Sequence, residues 1–263
     1  MHVAVAKERR MGEHPDMKPQ VYSAVAALLL LAVCAAALPA AAADGPEKLY
    51  FKSGGKDIEA DLYPAAGPGP HRAVIVMHGA GGILFDGPEM RRVARQLAGA
   101  GDTAYLLHYF NRTGSIGVRD AAMQEHFDDW LGTVRDAITW VHAREAKETP
   151  TIGIYGYSLG AFLAVAAASD NPFVGAIVEQ AGGMWNSQEQ RVGKMPPVLM
   201  VHGRADQRVP FDKYAAPLLQ VLRERGGKVE THFVDGEGHG FSQPAMVIVR
   251  AEAVQFFANE LKP

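Results

Sequence analysis

Thr151-Ile152-Gly153-Ile154-Tyr155-Gly156-Tyr157-Ser158-Leu159-Gly160, running on into Ala161-Phe162-Leu163-Ala164-Val165-Ala166-Ala167-Ala168, decides the architecture. The apolar, β-prone run up to Tyr157 reads as a strand, and the alanine-rich run after Leu159 reads as a helix. A single serine stands between them, with glycine two residues away on each side. A turn this tight holds the serine in a strained backbone conformation that lifts its hydroxyl above the sheet edge. The two glycines are then steric requirements, because a Cβ at 156 or 160 would collide with the chain passing alongside. The Leu159 N–H falls at the open N-terminus of the helix. There an orphan donor and the positive end of the macrodipole face any oxyanion formed beside Ser158.

Outward from this turn, strand and helix patterns alternate. Upstream, residues 49–52 and 58–63 alternate as a hairpin around Ser53-Gly54-Gly55, and Ala73-Val74-Ile75-Val76-Met77 reads as a strand buried on both faces. A helix over 91–97, a strand over 104–107 and a long helix over 125–143 follow. The apolar face of that long helix reads Phe127, Trp130, Leu131, Val134, Ile138, Val141. Downstream come strands over 176–178, 198–201 and 230–234, with helices over 215–222 and 247–257. A hairpin followed by repeated β-α units implies an α/β protein. Its sheet is mainly parallel, with helices on both faces and functional loops at the carboxyl ends of the strands.

The 263 residues carry a net charge of -3 and include 28 glycines, a composition that excludes disorder and a basic nucleic-acid footprint. Residues 1–43 read as a signal peptide. Lys18 precedes an uncharged apolar run over 21–38, and Ala41-Ala42-Ala43 before Asp44 is the small-residue pattern of a cleavage site. The run is too short and alanine-rich for a stable membrane span. Met17 is a more natural start of this leader than Met1, and with that start residues 1–16 would be an over-extension. Cleavage after Ala43 leaves one domain over 44–263, with 22 basic against 26 acidic side chains and no cysteine, in a periplasmic or secreted setting. Lipidation at Cys34 is the alternative that would tether the protein to a membrane.

A serine hydroxyl needs a neighbouring base, and the base needs a third group to fix its tautomer. On this type of fold the order is serine, acid, histidine. Asp206 lies in the loop after the 198–201 strand, within His202-Gly203-Arg204-Ala205-Asp206, whereas Asp212 falls after Pro210 and reads as a helix cap. After the last strand, Val234-Asp235-Gly236-Glu237-Gly238-His239-Gly240-Phe241 puts one histidine in a glycine-rich loop. His202 and His232 read as packed or hydrogen-bonded histidines, and Asp235 and Glu237 as solvated carboxylates. A second oxyanion donor is expected from Met77-His78-Gly79-Ala80-Gly81-Gly82, where Ala80 or Gly81 would pair with Leu159. The loops over 111–124 and 182–196 leave the same end of the sheet and form the expected roof of a cleft. Tyr109, Phe110, Arg112, Tyr157, Trp185 and Phe241 are the candidate substrate contacts. No phosphate-binding loop, dinucleotide loop or metal-ligand spacing occurs, so no cofactor and no metal is indicated.

The elbow Gly156-Tyr157-Ser158-Leu159-Gly160, the Asp206 loop and Gly238-His239-Gly240-Phe241 together resemble the dienelactone hydrolase family of α/β-hydrolases, a likeness that covers about residues 48–260. The resemblance implies an α/β-hydrolase fold. It also implies hydrolysis of a small carboxylic ester or lactone through an acyl-enzyme, with Ser158, Asp206 and His239 at the family's triad positions. The family's namesake enzymes use cysteine where this chain has Ser158. They carry a substrate-binding arginine where it has Gln243, so the resemblance speaks for reaction class rather than for dienelactone as substrate. A peptidase or acyltransferase with the same three residues, and a non-catalytic binding protein on the same fold, are the alternatives.

Overall fold

The computed structural model describes residues 45–147, 149–185 and 192–263, and the expected leader lies outside them. Pro46–Pro263 folds as one compact unit. Its sheet has eight strands: β1 (Glu47–Ser53), β2 (Lys56–Tyr63), β3 (Arg72–Met77), β4 (Asp102–Leu107), β5 (Ile152–Tyr157), β6 (Val174–Gln180), β7 (Val198–Gly203) and β8 (Val229–Val234). They lie in the order β1-β2-β4-β3-β5-β6-β7-β8, antiparallel across β1, β2 and β4 and parallel from there on. This is the α/β-hydrolase architecture that the sequence predicts.

The alternation of side chains along β3 shows why the sheet is covered twice. Ala73, Ile75 and Met77 face one layer, while Val74 and Val76 face the other. The first layer holds α3 (Asp120–Glu145), α4 (Leu159–Ala168) and α5 (Phe211–Glu224); the second holds α2 (Gly87–Gly99) and α6 (Gln243–Glu260). Every residue of α4 is buried, which explains its alanine-rich, uncharged sequence: a helix packed on all sides has no polar face to keep. Helices run longer than their apolar periodicity suggests. Pro88 pre-organises the first turn of α2, and Ser242 caps α6 by accepting the Ala245 N–H at 3.4 Å. α3 starts at Asp120 and takes five residues from the expected roof loop, and Asp212 sits inside the first turn of α5 rather than capping it.

After β3 the chain turns to β4 on one side, and later to β5 on the other. The loops leaving β3 and β5 therefore face each other across a crevice at the strands' carboxyl ends. The close approach of these loops is what demands glycine. A Cβ on Gly156 would lie 2.4 Å from the Gly160 carbonyl oxygen, and one on Gly160 would lie 2.6 Å from that of His78. Because both obstacles are backbone, Gly156→Ala should destabilise the fold by about 3 kcal/mol, the upper part of the range for overpacking. Urea denaturation monitored by tryptophan fluorescence would measure this, and an unchanged midpoint would show that the elbow can open.

Candidate active site

Ser158 takes φ 55 and ψ -119, the strained conformation expected at the strand-to-helix turn. Its hydroxyl meets the loop after β8: His239 Nε2 is 2.9 Å from Ser158 Oγ, and His239 Nδ1 is 2.7 Å from Asp206 Oδ2. A carboxylate only accepts, so Nδ1 carries the proton and Nε2 is left to accept from the serine hydroxyl. Asp206 is fixed by its own loop, where Oδ1 accepts the N–H groups of Arg208 and Val209, both at 2.8 Å. Burial alone would raise its pKa. The hydrogen bonds from His202, His239 and Val209 reverse this and hold the carboxyl well below the usual carboxylate range, so Asp206 stays ionised.

Of the two expected partners for the Leu159 N–H, Gly81 is corrected: its N–H donates to Asp86 Oδ2 at 3.0 Å. The Ala80 N–H and the Leu159 N–H donate to no acceptor among the described residues. The Ala80 carbonyl is tied down by the Val118 N–H at 2.9 Å. The start of this loop is pinned by His78, a fully buried imidazole that donates from Nδ1 to Gly79 O at 2.8 Å. Burial pulls the pKa of His78 down to about 3, so it stays neutral.

Six aromatic and cationic candidates divide in two. Tyr157 lines the crevice beside Ser158 and His239 and donates to the His239 carbonyl at 3.4 Å, and Trp185 lines a second cavity that also reaches Ser158. The other four are corrected. Tyr109 is fully buried, stacks on His78 at 4.2 Å and donates to the His78 carbonyl at 2.9 Å, which makes it a support of the β3 loop. Phe110 packs against Trp130 at 4.7 Å. The Arg112 guanidinium reaches back to the Gly54 carbonyl and to Asp129 at 3.1 Å. Phe241 packs on the core under α2 and α6. Glu237 is also more than a solvated charge, since it accepts the Ser242 N–H and hydroxyl at 2.7 and 2.5 Å. His202 and His232 are the hydrogen-bonded histidines expected, with Val209 O at 2.8 Å and Glu252 at 2.7 Å.

Several lining residues carry no signal in the sequence. Asp86 and Phe85 come from the short helix α1 (Gly82–Phe85) and its end, Arg119 and Met123 from the start of α3, and Phe162 and Tyr214 from α4 and α5. Glu179 is fully buried, within reach of the His202 charge and of the Gly182 N–H. Burial pushes its pKa up to about 7, against the pull of His202. For His202, burial works to lower the pKa, but the hydrogen bond to Asp206 and the charge of Glu179 raise it overall. Both groups thus hold a proton more tightly in the folded chain, so their contribution to stability falls as pH rises, for Glu179 from its ordinary value towards about 7. Glu179→Gln should lose much of the fall in Tm between about pH 5 and pH 8 that the wild type shows. An identical pH dependence of Tm in the two proteins would contradict this.

Glu59, Asp61 and His108 form the one three-residue cluster of ligand-type side chains found among the described residues, with donor atoms within 4.8 Å of one another. Lys48 occupies Glu59 at 2.7 Å and His108 pairs with Asp61 at 3.2 Å, so the charges satisfy each other.

This fold, with a serine at the elbow between β5 and α4 under a histidine loop, is the α/β-hydrolase fold. Residues 58–259 match the model of the dienelactone hydrolase family, and the chain belongs to that family. The family is one of hydrolases. Comparison with curated sequences gives no match. Among solved structures it is similar to the dienelactone hydrolase of Anabaena variabilis, at 21% identity and a TM-score of 0.67 over 83% of this chain and 100% of that one. A promiscuous, dienelactone hydrolase-like phosphotriesterase from metagenomic libraries is 17% identical, with a TM-score of 0.68 over 82% and 98%. An α/β serine hydrolase homologue from Coxiella burnetii is 18% identical, with a TM-score of 0.64 over 81% and 97%. These likenesses speak for the fold. No helix among the described residues is long and apolar enough to cross a membrane.

Proposed function

We propose that this protein hydrolyses a small carboxylic ester or lactone through an acyl-enzyme, without a cofactor. Ser158 is the nucleophile, His239 the general base and acid, and Asp206 the group that orients His239. The observation that carries this reading is the position of one imidazole within hydrogen-bond reach of both partners, 2.9 Å from Ser158 Oγ and 2.7 Å from Asp206 Oδ2.

As Ser158 Oγ attacks the carbonyl carbon, its proton passes to His239 Nε2 and the carbonyl electrons move to oxygen. The Leu159 and Ala80 N–H groups hold that oxyanion, with the N-terminus of α4 adding its dipole. Collapse of the tetrahedral intermediate breaks the bond to the alcohol oxygen, which takes the proton from Nε2. Water then repeats the sequence on the acyl-enzyme and frees the acid. A panel of esters and lactones, assayed with wild type and Ser158→Ala side by side, tests the reading. Turnover only by the wild type supports it, and equal turnover by both would refute it. The leader over residues 1–43 supports the further proposal that the protein is exported and cut after Ala43, which mass spectrometry of the mature N-terminus would check.

A further inference from the structure

Two cavities meet at Ser158, and different side chains line them. The larger, of about 650 Å³, contains His239 together with Tyr157, Asp86, Arg119 and Arg208. The smaller, of about 280 Å³, is walled by Met123, Leu159, Phe162, Trp185, Val209 and Tyr214. Phe162 stacks on Trp185 at 4.6 Å and meets Tyr214 edge-on at 5.8 Å, so three aromatic rings form one continuous wall. Asp120 and Gln124 also line the smaller cavity, where Asp120 pairs with Arg208 at 2.8 Å. Ala80, Ser158 and Arg208 belong to both cavities.

Acyl transfer gives these two spaces different roles. The tetrahedral carbon carries four groups: Ser158 Oγ, the oxyanion, the acyl carbon and the departing oxygen. The departing oxygen has to collect its proton from His239 Nε2, so the alcohol must lie on the histidine's side of the serine. His239 lines the larger cavity and not the smaller. The oxyanion is directed at Leu159 and Ala80, and the acyl group takes the remaining direction. We therefore propose that the smaller, aromatic-walled cavity receives the acyl group and the larger one, which holds His239, Asp86 and Arg119, the alcohol, which makes the substrates esters of a compact apolar acid with a hydroxyl-bearing alcohol.

This assignment rests on the hydrolase reading above and adds the substrate class to it. The acyl cavity falls just below the range of about 300–1,000 Å³ usual for small-molecule pockets, room for an aromatic ring or a short branched chain. A long alkyl chain would outgrow this volume and have to share it with the Asp120–Arg208 ion pair, which lines the same cavity. On the alcohol side, Asp86 offers an acceptor and Arg119, Arg208 and the Tyr157 hydroxyl offer donors, which suit hydroxyl groups beyond the ester oxygen.

Two ester series measured on the full chain test this. One keeps p-nitrophenol as leaving group and varies the acyl group through acetyl, isobutyryl, benzoyl and decanoyl. The other keeps benzoyl and varies the alcohol from methanol to glycerol. In the wild type, benzoyl and isobutyryl esters should exceed decanoyl in kcat/KM, and glyceryl should exceed methyl benzoate. Met123→Trp, which fills the acyl cavity, should lower the benzoyl-to-acetyl ratio by about 10-fold or more, the scale on which an apolar pocket discriminates. Trp185→Ala opens the same cavity at a partly exposed position and should raise the decanoyl-to-benzoyl ratio. Arg119→Ala should move the glyceryl-to-methyl ratio and not the acyl ratios. Acyl ratios that respond to Arg119→Ala and not to Met123→Trp or Trp185→Ala would overturn the assignment and leave the hydrolase reading standing. No turnover of any ester by the wild type would bring down both.

Discussion

Ser158→Ala is expected to lower kcat for ester hydrolysis by about 10⁶-fold, and His239→Ala by a similar factor, with the double variant hardly worse than either alone. The size follows from the arrangement. Serine is inert until the imidazole 2.9 Å away takes its proton, and the imidazole has nothing to do without the serine, so removing either removes the same step. That step is worth about 8 kcal/mol of transition-state stabilisation. The residual rate comes from the oxyanion donors and from binding, which both variants keep. Initial-rate kinetics on one activated ester would measure it, and multiplicative losses in the double variant would show that the two residues act separately.

Asp206→Asn is expected to cost about 10⁴-fold in kcat while the protein stays folded, and the reason is a tautomer. In the wild type Oδ1 accepts the N–H groups of Arg208 and Val209, and Oδ2 accepts from His239 Nδ1. Asparagine has one acceptor oxygen, and the two backbone donors claim it. Its NH₂ group then faces His239 Nδ1, which must become an acceptor, and the ring proton moves to Nε2. A protonated Nε2 cannot take the Ser158 proton. The loss should be in kcat, with KM little changed and circular dichroism unaltered. A loss confined to KM would contradict the role given to Asp206.

The elbow, the sheet class and the positions of Ser158, Asp206 and His239 were legible because local chemistry decides them. Glycines two residues either side of a serine, between an apolar run and an alanine-rich one, leave few other conformations, and side chains in loops at strand ends converge wherever the strands are parallel. What could not be read is where side chains point once a loop folds back on itself. Tyr109, Phe110 and Arg112 follow β4 as a roof residue should, but a 3₁₀ turn over Tyr109–Arg112 winds the first two into the core and sends the third to the hairpin. Asp86 escaped notice for the opposite reason. Nothing in its surroundings in sequence announces that it will reach across to Gly81 and leave Ala80 as the free donor. Glu179 did carry a signal, a carboxylate at the end of an apolar strand with both faces covered, where an ionised group is costly. Gln243, where the namesake enzymes carry arginine, begins α6 as an exposed residue off both cavity walls.

Phosphonylation by a fluorophosphonate tests the central claim most directly, because the reagent reacts with a serine only where a base and oxyanion donors have been assembled around it. Intact mass and peptide mapping of the treated protein should show one adduct per chain, on Ser158. The adduct should be absent in Ser158→Ala and greatly slowed in His239→Ala. A folded wild-type protein that takes up no label, or a label that persists in Ser158→Ala, would contradict the account.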